Sequence, residues 1–271
     1  MPLELRRVEG EGKVGAEAIR AERCAGRLLA ALSEDDVRGR HAWSDLEDHG
    51  ISEGEDPSLY RDLYALAGEA WVEAEHLDHY VVVPAERAVL DAWYSLSFAQ
   101  QQVHAKIDLG PVEAPDPAGF AVRLGGAGDL EIAMHLAYVI FDHQARGPTW
   151  AGAPAPGHDE ARASYAEYLA DPNVAYFVAE REGEPLGHLA IERETDDAVY
   201  VDIAATLPEA RGLGVGTALT DAALGWAYEH GYRTCATDWR SANLVSSRFW
   251  ERRGFEPIAY RLFRRIVLTP R

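Results

Sequence analysis

Positive charge is scarce in this chain of 271 residues, in which 26 Lys and Arg stand against 45 Asp and Glu for a formal net charge of −19. A phosphate backbone needs a basic surface, so this balance argues against nucleic acid as a partner. It is compatible with a cationic amine substrate, although a net charge speaks mostly to solubility. The sequence holds no apolar run near the roughly 18 residues of a membrane span, so no membrane partner is expected. The first residues, MPLELRRVEGEGKVG, lack the apolar core of a secretory leader, and the cytoplasm is the expected compartment. Cysteine is limited to Cys24 and Cys235, far apart and without ligand spacing, so neither a disulfide nor a metal site is expected. Hydrophobic residues make up 47% of the chain, enough for a sizeable core, and the length allows one large or two ordinary domains.

Against that background one stretch organises the chain, from Val199 to Gly231. It reads as a strand, a polar turn at Leu207-Pro208-Glu209, and then Arg211-x-x-Gly214-x-Gly216 opening a helix. From Val215 the apolar residues fall at Ala218, Leu219, Ala222, Ala223, Trp226 and Ala227, the stripe of an amphipathic helix that Gly231 would cap. Glycines at a helix start allow a tight turn and close approach of a ligand to the backbone. The first-turn N–H groups have no intrahelical partner and the helix dipole adds positive charge, which together suit a phosphate or pyrophosphate. The spacing fits neither a dinucleotide fingerprint nor a Walker loop. On spacing alone, a structural glycine turn and a phosphate cradle remain open.

A second block follows a strand at Arg233 to Thr237: Asn243-x-x-Ser246-x-x-Phe249-Trp250-x-x-x-Gly254-Phe255. In order and spacing the two blocks resemble the GNAT superfamily of acyl-CoA N-acyltransferases, over roughly residues 118–268. The resemblance implies an α/β (α+β) fold, a mixed central sheet with helices on both faces, in which two adjacent parallel strands splay apart. It implies acetyl-CoA as cosubstrate and no metal. It places the coenzyme pyrophosphate on Arg211, Gly212, Leu213, Gly214, Val215, Gly216 and Thr217. The pantetheine amides would lie along Ala204, Ala205 and Thr206, and Asn243 would reach the coenzyme arm. The implied activity is acetyl transfer to an amine of a small molecule or peptide, by direct attack in a ternary complex. The alternative is a non-catalytic acyl-CoA-binding module that has lost its general acid.

Elsewhere the chain reads as follows. Ala16 to Leu32 has helical spacing, and Ser33 to Asp36 reads as a break or a new helix start. Gly50 to Pro57 reads as a surface loop, Leu59 to Trp71 as a helix, His79 to Val83 as a buried strand closed by Pro84, Ala85 to Leu96 as a helix, and Phe98 to Asp108 as a strand. Trp93-Tyr94-Ser95-Leu96-Ser97-Phe98 echoes Trp250 to Phe255, a weak internal repeat. Residues 1–110 therefore read as a degenerate GNAT-like domain, 111–119 as a proline-rich linker and 120–271 as the catalytic domain. In the first of these, Gly68 stands alone where a phosphate loop would be and Glu86 matches Asn243, so no coenzyme is expected there. A strand at Phe120 to Leu124 precedes a helix capped by Asp129. A helix over Asp159 to Leu169 and strands at Val174–Glu180 and Leu186–Arg193 lead into Val199 to Thr206. The two halves suggest an internal pseudo-dimer or a homodimer.

The chemistry is less clearly written. Asp238, at a strand end, and Asp202, on the same strand side as Tyr200, are the candidate bases; either can equally be a surface or structural carboxylate. Asn243 also suits an N-cap. His135 and His143 read as packing or surface residues. Trp250 stands where the family frequently has a proton-donating Tyr, and an indole cannot fill that role. Ser246, Ser247, Tyr260 or water could stand in, and no acid is assigned. Gln144 to Gly157 is the candidate substrate loop, with Trp150, Trp239 and Tyr138 as candidate walls of an amine pocket.

Overall fold

In the computed structural model, residues 2–112, 119–151 and 156–268 are described. Most of the linker prolines and part of the Gln144–Gly157 loop lie outside the described residues. The chain divides into two compact units, one holding the residues up to Val103 together with those from Pro257 onward, the other His104–Glu256.

The first unit opens with strands, β1 (Leu3–Gly10), β2 (Lys13–Arg20), β3 (Arg23–Asp35), β4 (Gly39–Ser44) and β5 (His49–Ile51). The helix expected over Ala16 to Leu32 is therefore a β-hairpin. Ala21 and Glu22, both at positive φ, make its two-residue turn. Alanines at helical spacing misled the periodicity; what decides is the period-two burial of Ala16 and Ala18 on β2 and of Leu28 and Ala30 on β3. At Gly15 any Cβ would lie 1.9 Å from the Leu28 carbonyl oxygen, a close approach only glycine permits. The break at Ser33 to Asp36 is a turn in which the Asp35 carboxylate accepts the Val37 and Arg38 N–H groups at 2.9 and 2.6 Å. Within Gly50 to Pro57, β5 adds a short pairing with β3 before the loop.

The unit continues with α1 (Leu59–Glu73), β6 (Asp78–Pro84), α2 (Arg87–Ser95) and the start of β7 (Ala99–Asp108), which passes into the second unit at His104. β4 and β6 pair in parallel, and the late strand β13 pairs antiparallel with β6. The core is built from β2, β3, α1 and α2, with Trp71, Trp93, Leu28 and Leu63 at its centre. The start of α1 carries no open row of amides. Leu59, Tyr60 and Arg61 donate to the carbonyls of Asp56, Pro57 and Ser58, and the Asp56 carboxylate takes the Ser58 N–H at 2.7 Å.

The second unit runs through β8 (Ala121–Leu124), α3 (Leu130–Gln144), α4 (His158–Ala170), β9 (Val174–Arg181), β10 (Glu184–Arg193), β11 (Ala198–Thr206), α5 (Val215–Glu229), β12 (Thr234–Arg240) and α6 (Leu244–Arg252); β13 (Glu256–Arg265) then begins at the unit's end. Its strands lie in the order β12-β11-β10-β9-β8, with only β11 and β12 parallel among them. Glu182 and Gly183, both at positive φ, turn the β9–β10 hairpin. Asp129 holds the N-cap position of α3 but caps nothing. Its carboxylate is drawn instead to Arg123, at 2.7 and 3.1 Å, and to the Gly126 N–H at 3.0 Å. Ala133, Leu169, Tyr176, Val178 and Ala190 form a core between α3, α4 and the sheet. Val215, Leu219, Ala223, Leu224 and Ala227 are buried along α5.

The echo between the halves has a structural basis, visible in each unit separately. In the first, Trp93 and Phe98 meet edge to face at 4.9 Å across Ser97 at φ 64°; in the second, Trp250 and Phe255 meet at 5.1 Å across Gly254 at φ 85°. Glu86 and Asn243 occupy the N-cap positions of α2 and α6. The runs β4-α1-β6-α2, interrupted only by the three-residue β5, and β11-α5-β12-α6 contain the one parallel pairing of each unit among the pairings described.

One position in the second unit is set by close approach. A Cβ at Gly187 would stand 2.7 Å from the Ala205 carbonyl oxygen and 3.1 Å from Val215 Cγ1. Gly187→Ala should therefore push β10 off β11 and the start of α5. We predict a loss of about 1–3 kcal/mol in chemical denaturation. An unchanged denaturation midpoint would show that this approach is slack.

Candidate functional site

The site begins where two strands part. β11 and β12 pair only from Ala198 with Thr234 to Val201 with Thr237. The Thr237 hydroxyl donates to the Val201 carbonyl at 3.2 Å, at the last rung. Beyond it Asp202–Thr206 and Asp238–Arg240 have no mutual pairing, although both segments remain strand. β11 stays bonded to β10 as far as Thr206 with Gly187, so its opposite edge is left open. On β11 the pairing with β10 steps from Val201 to Ile203, leaving Asp202 as a bulged residue without a partner across the ladder. A bulge re-aims side chains, and here Asp202 and Ile203 line one cavity although strand neighbours ordinarily face opposite ways.

The β11–α5 turn follows at once. Pro208–Ala210 form a 3₁₀ turn, after which Gly212 and Gly214 take φ of 80° and 85°, conformations that L side chains rarely adopt. A Cβ at either would meet nothing within 4 Å, so the surface of the loop is open. Among the described residues, the N–H groups of Gly212, Gly214, Val215, Gly216 and Thr217 find no backbone carbonyl. Arg211 and Leu213 are exposed beside them. Gly216 is small for another reason: a Cβ there would lie 3.3 Å from the Phe249 ring, where α6 meets the start of α5. A row of N–H groups without backbone partners on an open loop at the positive end of a 15-residue helix is an arrangement suited to an anion.

Against β11, α3 and α4 enclose a cavity of about 420 Å³. Its walls are mixed: Ile140, Phe141, Tyr165, Tyr168 and Ile203 stand beside Glu160 and Ser164, with Asp202 on the sheet side, and it is open to solvent. Asp202 opens into the cavity yet is enclosed enough that desolvation raises its pKa; the Tyr168 hydroxyl pulls the other way and the nearby Asp238 carboxylate raises it further. Burial, with Asp202 beside them, also raises the tyrosines, Tyr165 to about 12 and Tyr168 further. The Tyr168 hydroxyl lies against Asp202 but outside the geometry of a formed bond, and is buried without a partner among the described residues. Asp238 is differently placed: it accepts a short hydrogen bond from the Tyr200 hydroxyl, and burial together with that carboxylate raises the Tyr200 pKa.

The structure thus gathers Asp202, Asp238 and Tyr200 on one face of the parted strands. Asn243 serves as N-cap of α6: its Oδ1 accepts from the Ser246 N–H at 3.2 Å and from His143 Nε2 at 3.1 Å. His143 is therefore a neighbour of the motif asparagine, a relation 100 residues of separation concealed. Trp250 is a buried core residue packed on Phe249 and Phe255. Ser247 donates to the Ser241 carbonyl at 3.3 Å, and Tyr260 belongs to β13 in the first unit. The expected pocket aromatics do not line the cavity: Trp150 is 76% exposed and Trp239 is buried in the sheet. Tyr165 and Tyr168 take that place. Their three-residue spacing, which puts both on one helix face, was the available signal.

Residues 139–255 match the model of the acetyltransferase (GNAT) family. Three solved structures share the fold over nearly the whole chain. A GCN5-related N-acetyltransferase from Sphaerobacter thermophilus has a TM-score of 0.66 at 16% identity, covering 96% of this chain and 83% of its own. A tandem GNAT protein from the clavulanic acid biosynthesis pathway has a TM-score of 0.57 at 16% identity, covering 99% and 85%. A GCN5-related N-acetyltransferase from Kribbella flavida has a TM-score of 0.53 at 16% identity, covering 95% and 88%. No curated protein matches the sequence. The parted parallel strands, the glycine turn opening α5 and the Asn243 block all lie inside the matched segment, so residues 139–255 carry an acetyltransferase (GNAT) domain.

Proposed function

We propose that this chain is an acetyl-CoA-dependent N-acetyltransferase that acetylates an amine of a small molecule or peptide by direct attack in a ternary complex. The observation that carries the reading is the open N–H row at the start of α5, set beside the free edge of β11. Arg211 and the amides of Gly212, Gly214, Val215, Gly216 and Thr217 hold the pyrophosphate; the Leu213 N–H, expected among them, is donated to the Ala210 carbonyl at 3.4 Å. The free edge at Ala204, Ala205 and Thr206 takes the pantetheine amides as an added strand would. The Asn243 side-chain nitrogen faces the coenzyme arm while its oxygen keeps the helix cap. Bound acetyl-CoA supplies the acetyl thioester.

Asp202 is the base of this reading because its carboxylate opens into the acceptor cavity and desolvation raises its pKa, making it a stronger base than an ordinary carboxylate. An ammonium bound there gives one proton to Asp202. The freed lone pair forms the C–N bond as the C–S bond breaks. The second proton lost by nitrogen reaches the departing sulfur through solvent, and Asp202 returns its own to solvent. Asp238 holds Tyr200 and adds a smaller negative field to the desolvation that raises the Asp202 pKa. The N-terminal half is a degenerate copy without coenzyme, since the amides at the start of α1 are already taken.

Two variants test the assignments. Gly214→Val forces a β-branched residue into φ 85° at the cradle while meeting no neighbour. It should weaken acetyl-CoA binding in calorimetry at least tenfold with little change in circular dichroism; retained affinity would remove the cradle. Asp202→Asn should lower kcat by about 10²–10³-fold. In the wild type the rate should fall as acidification protonates Asp202, at a pH above the ordinary carboxylate range, and this acidic limb should vanish in the variant. A limb unchanged in Asp202→Asn would assign the proton transfer elsewhere.

A further inference from the structure

We propose that His143, in the last turn of α3, is a positioning residue for coenzyme binding. It turns the Asn243 amide so that the nitrogen, and not the oxygen, is offered to the coenzyme arm. This rests on the transferase reading above and adds to it a side chain from outside both sequence blocks.

The backbone decides donor and acceptor at this contact. The Ser246 N–H can only donate, so the Asn243 side-chain atom that meets it at 3.2 Å is the oxygen. The same oxygen lies 3.1 Å from His143 Nε2. Since the oxygen accepts, His143 carries a proton on Nε2. The backbone of Asn243 is also engaged: its N–H donates to the Arg240 carbonyl at 2.8 Å, and its C=O accepts from the Ser247 N–H at 2.9 Å. Its amide nitrogen, among the described residues, is neither partnered nor sealed in the core as the Trp239 nitrogen is. Two N–H bonds are thus left for carbonyls such as those of a pantetheine chain.

The terminal torsion of an asparagine is soft and roughly two-fold, so one bond of 3.2 Å from Ser246 holds it weakly. His143 supplies a second donor from another helix. A flipped amide would set its N–H groups against those of Ser246 and His143, leaving donors facing donors. The half-buried imidazole therefore selects one of the two amide orientations before any ligand arrives, which reduces the ordering cost of binding.

The test uses the full-length protein and acetyl-CoA. His143→Leu keeps a similar bulk but donates nothing, and should weaken acetyl-CoA binding in calorimetry by roughly three- to tenfold, the effect of one ordinary hydrogen bond. His143→Gln, whose side-chain nitrogen reaches about as far as Nε2, should keep an affinity close to that of the wild type. Asn243→Ser retains an N-cap oxygen for the Ser246 N–H but has no amide to orient, so His143→Leu should cost nothing further in that background. Nitrogen NMR of the wild type at alkaline pH, independent of how any variant folds, should show the neutral His143 ring protonated on Nε2. Full affinity in His143→Leu, no rescue by Gln, an equal loss in the Asn243→Ser background, or a ring protonated on Nδ1 would overturn the inference alone. Failure of the wild type to bind acetyl-CoA would overturn the transferase reading and the inference with it.

Discussion

Everything proposed for the second unit depends on β11 and β12 pairing for four residues and then parting. A parallel pair that continued would satisfy every backbone group and leave a closed sheet. The separation after Val201 and Thr237 exposes one edge of β11, while β10 holds the other edge through Thr206. An exposed strand edge ordinarily invites association with another chain. Here the edge is short and ends in the glycine turn, and the proposed complement is a ligand with its own amides.

The same separation explains the electrostatics. Asp238 belongs to the part of β12 that has left β11, and the Asp202 bulge falls on the corresponding part of β11. In a continuous ladder two carboxylates so placed would meet as cross-strand neighbours, an unfavourable arrangement. Parted strands separate them enough for Tyr200 to bond one, for Tyr168 to approach the other, and for a cavity to reach Asp202. Desolvation chiefly, with the residual repulsion adding to it, raises the pKa of the carboxylate that faces the cavity. The first unit repeats the strand–helix order but not the opening: Asp56 and a tight first turn consume the amides of α1 that the glycines leave free on α5.

The extent to which this was legible in the sequence followed from how local each determinant is. Positive-φ glycines, a helix stripe and an Asn cap are encoded within a few residues, so the Arg211–Gly231 stretch and the Asn243 block could be read directly. The echo of Trp93–Phe98 in Trp250–Phe255 was legible too, because an aromatic pair closing over a left-handed residue is a local device. The hairpin at Ala16–Leu32 was misread as helix because alanine is the strongest helix former and tertiary burial overrode that preference. Asp129 suited an N-cap in sequence, but Arg123 offered it a stronger partner. The cavity was the least legible: it depends on a bulge at Asp202 and on α3 and α4 meeting β11, relations that no single stretch contains. The same holds for the contact of His143 with Asn243.

The central claim is that the turn from Arg211 to Thr217 holds coenzyme, and thermal unfolding of the wild-type protein tests it most directly. Scans would be run alone and with acetyl-CoA, coenzyme A or a free adenine nucleotide. A ligand bound only by the folded state at 100 times its Kd adds about 2.7 kcal/mol. The account predicts a clear rise in Tm with acetyl-CoA and coenzyme A, and a smaller one with the nucleotide, which lacks the pantetheine amides for the edge of β11. Unchanged unfolding at millimolar acetyl-CoA would make the loop only a turn and contradict the account.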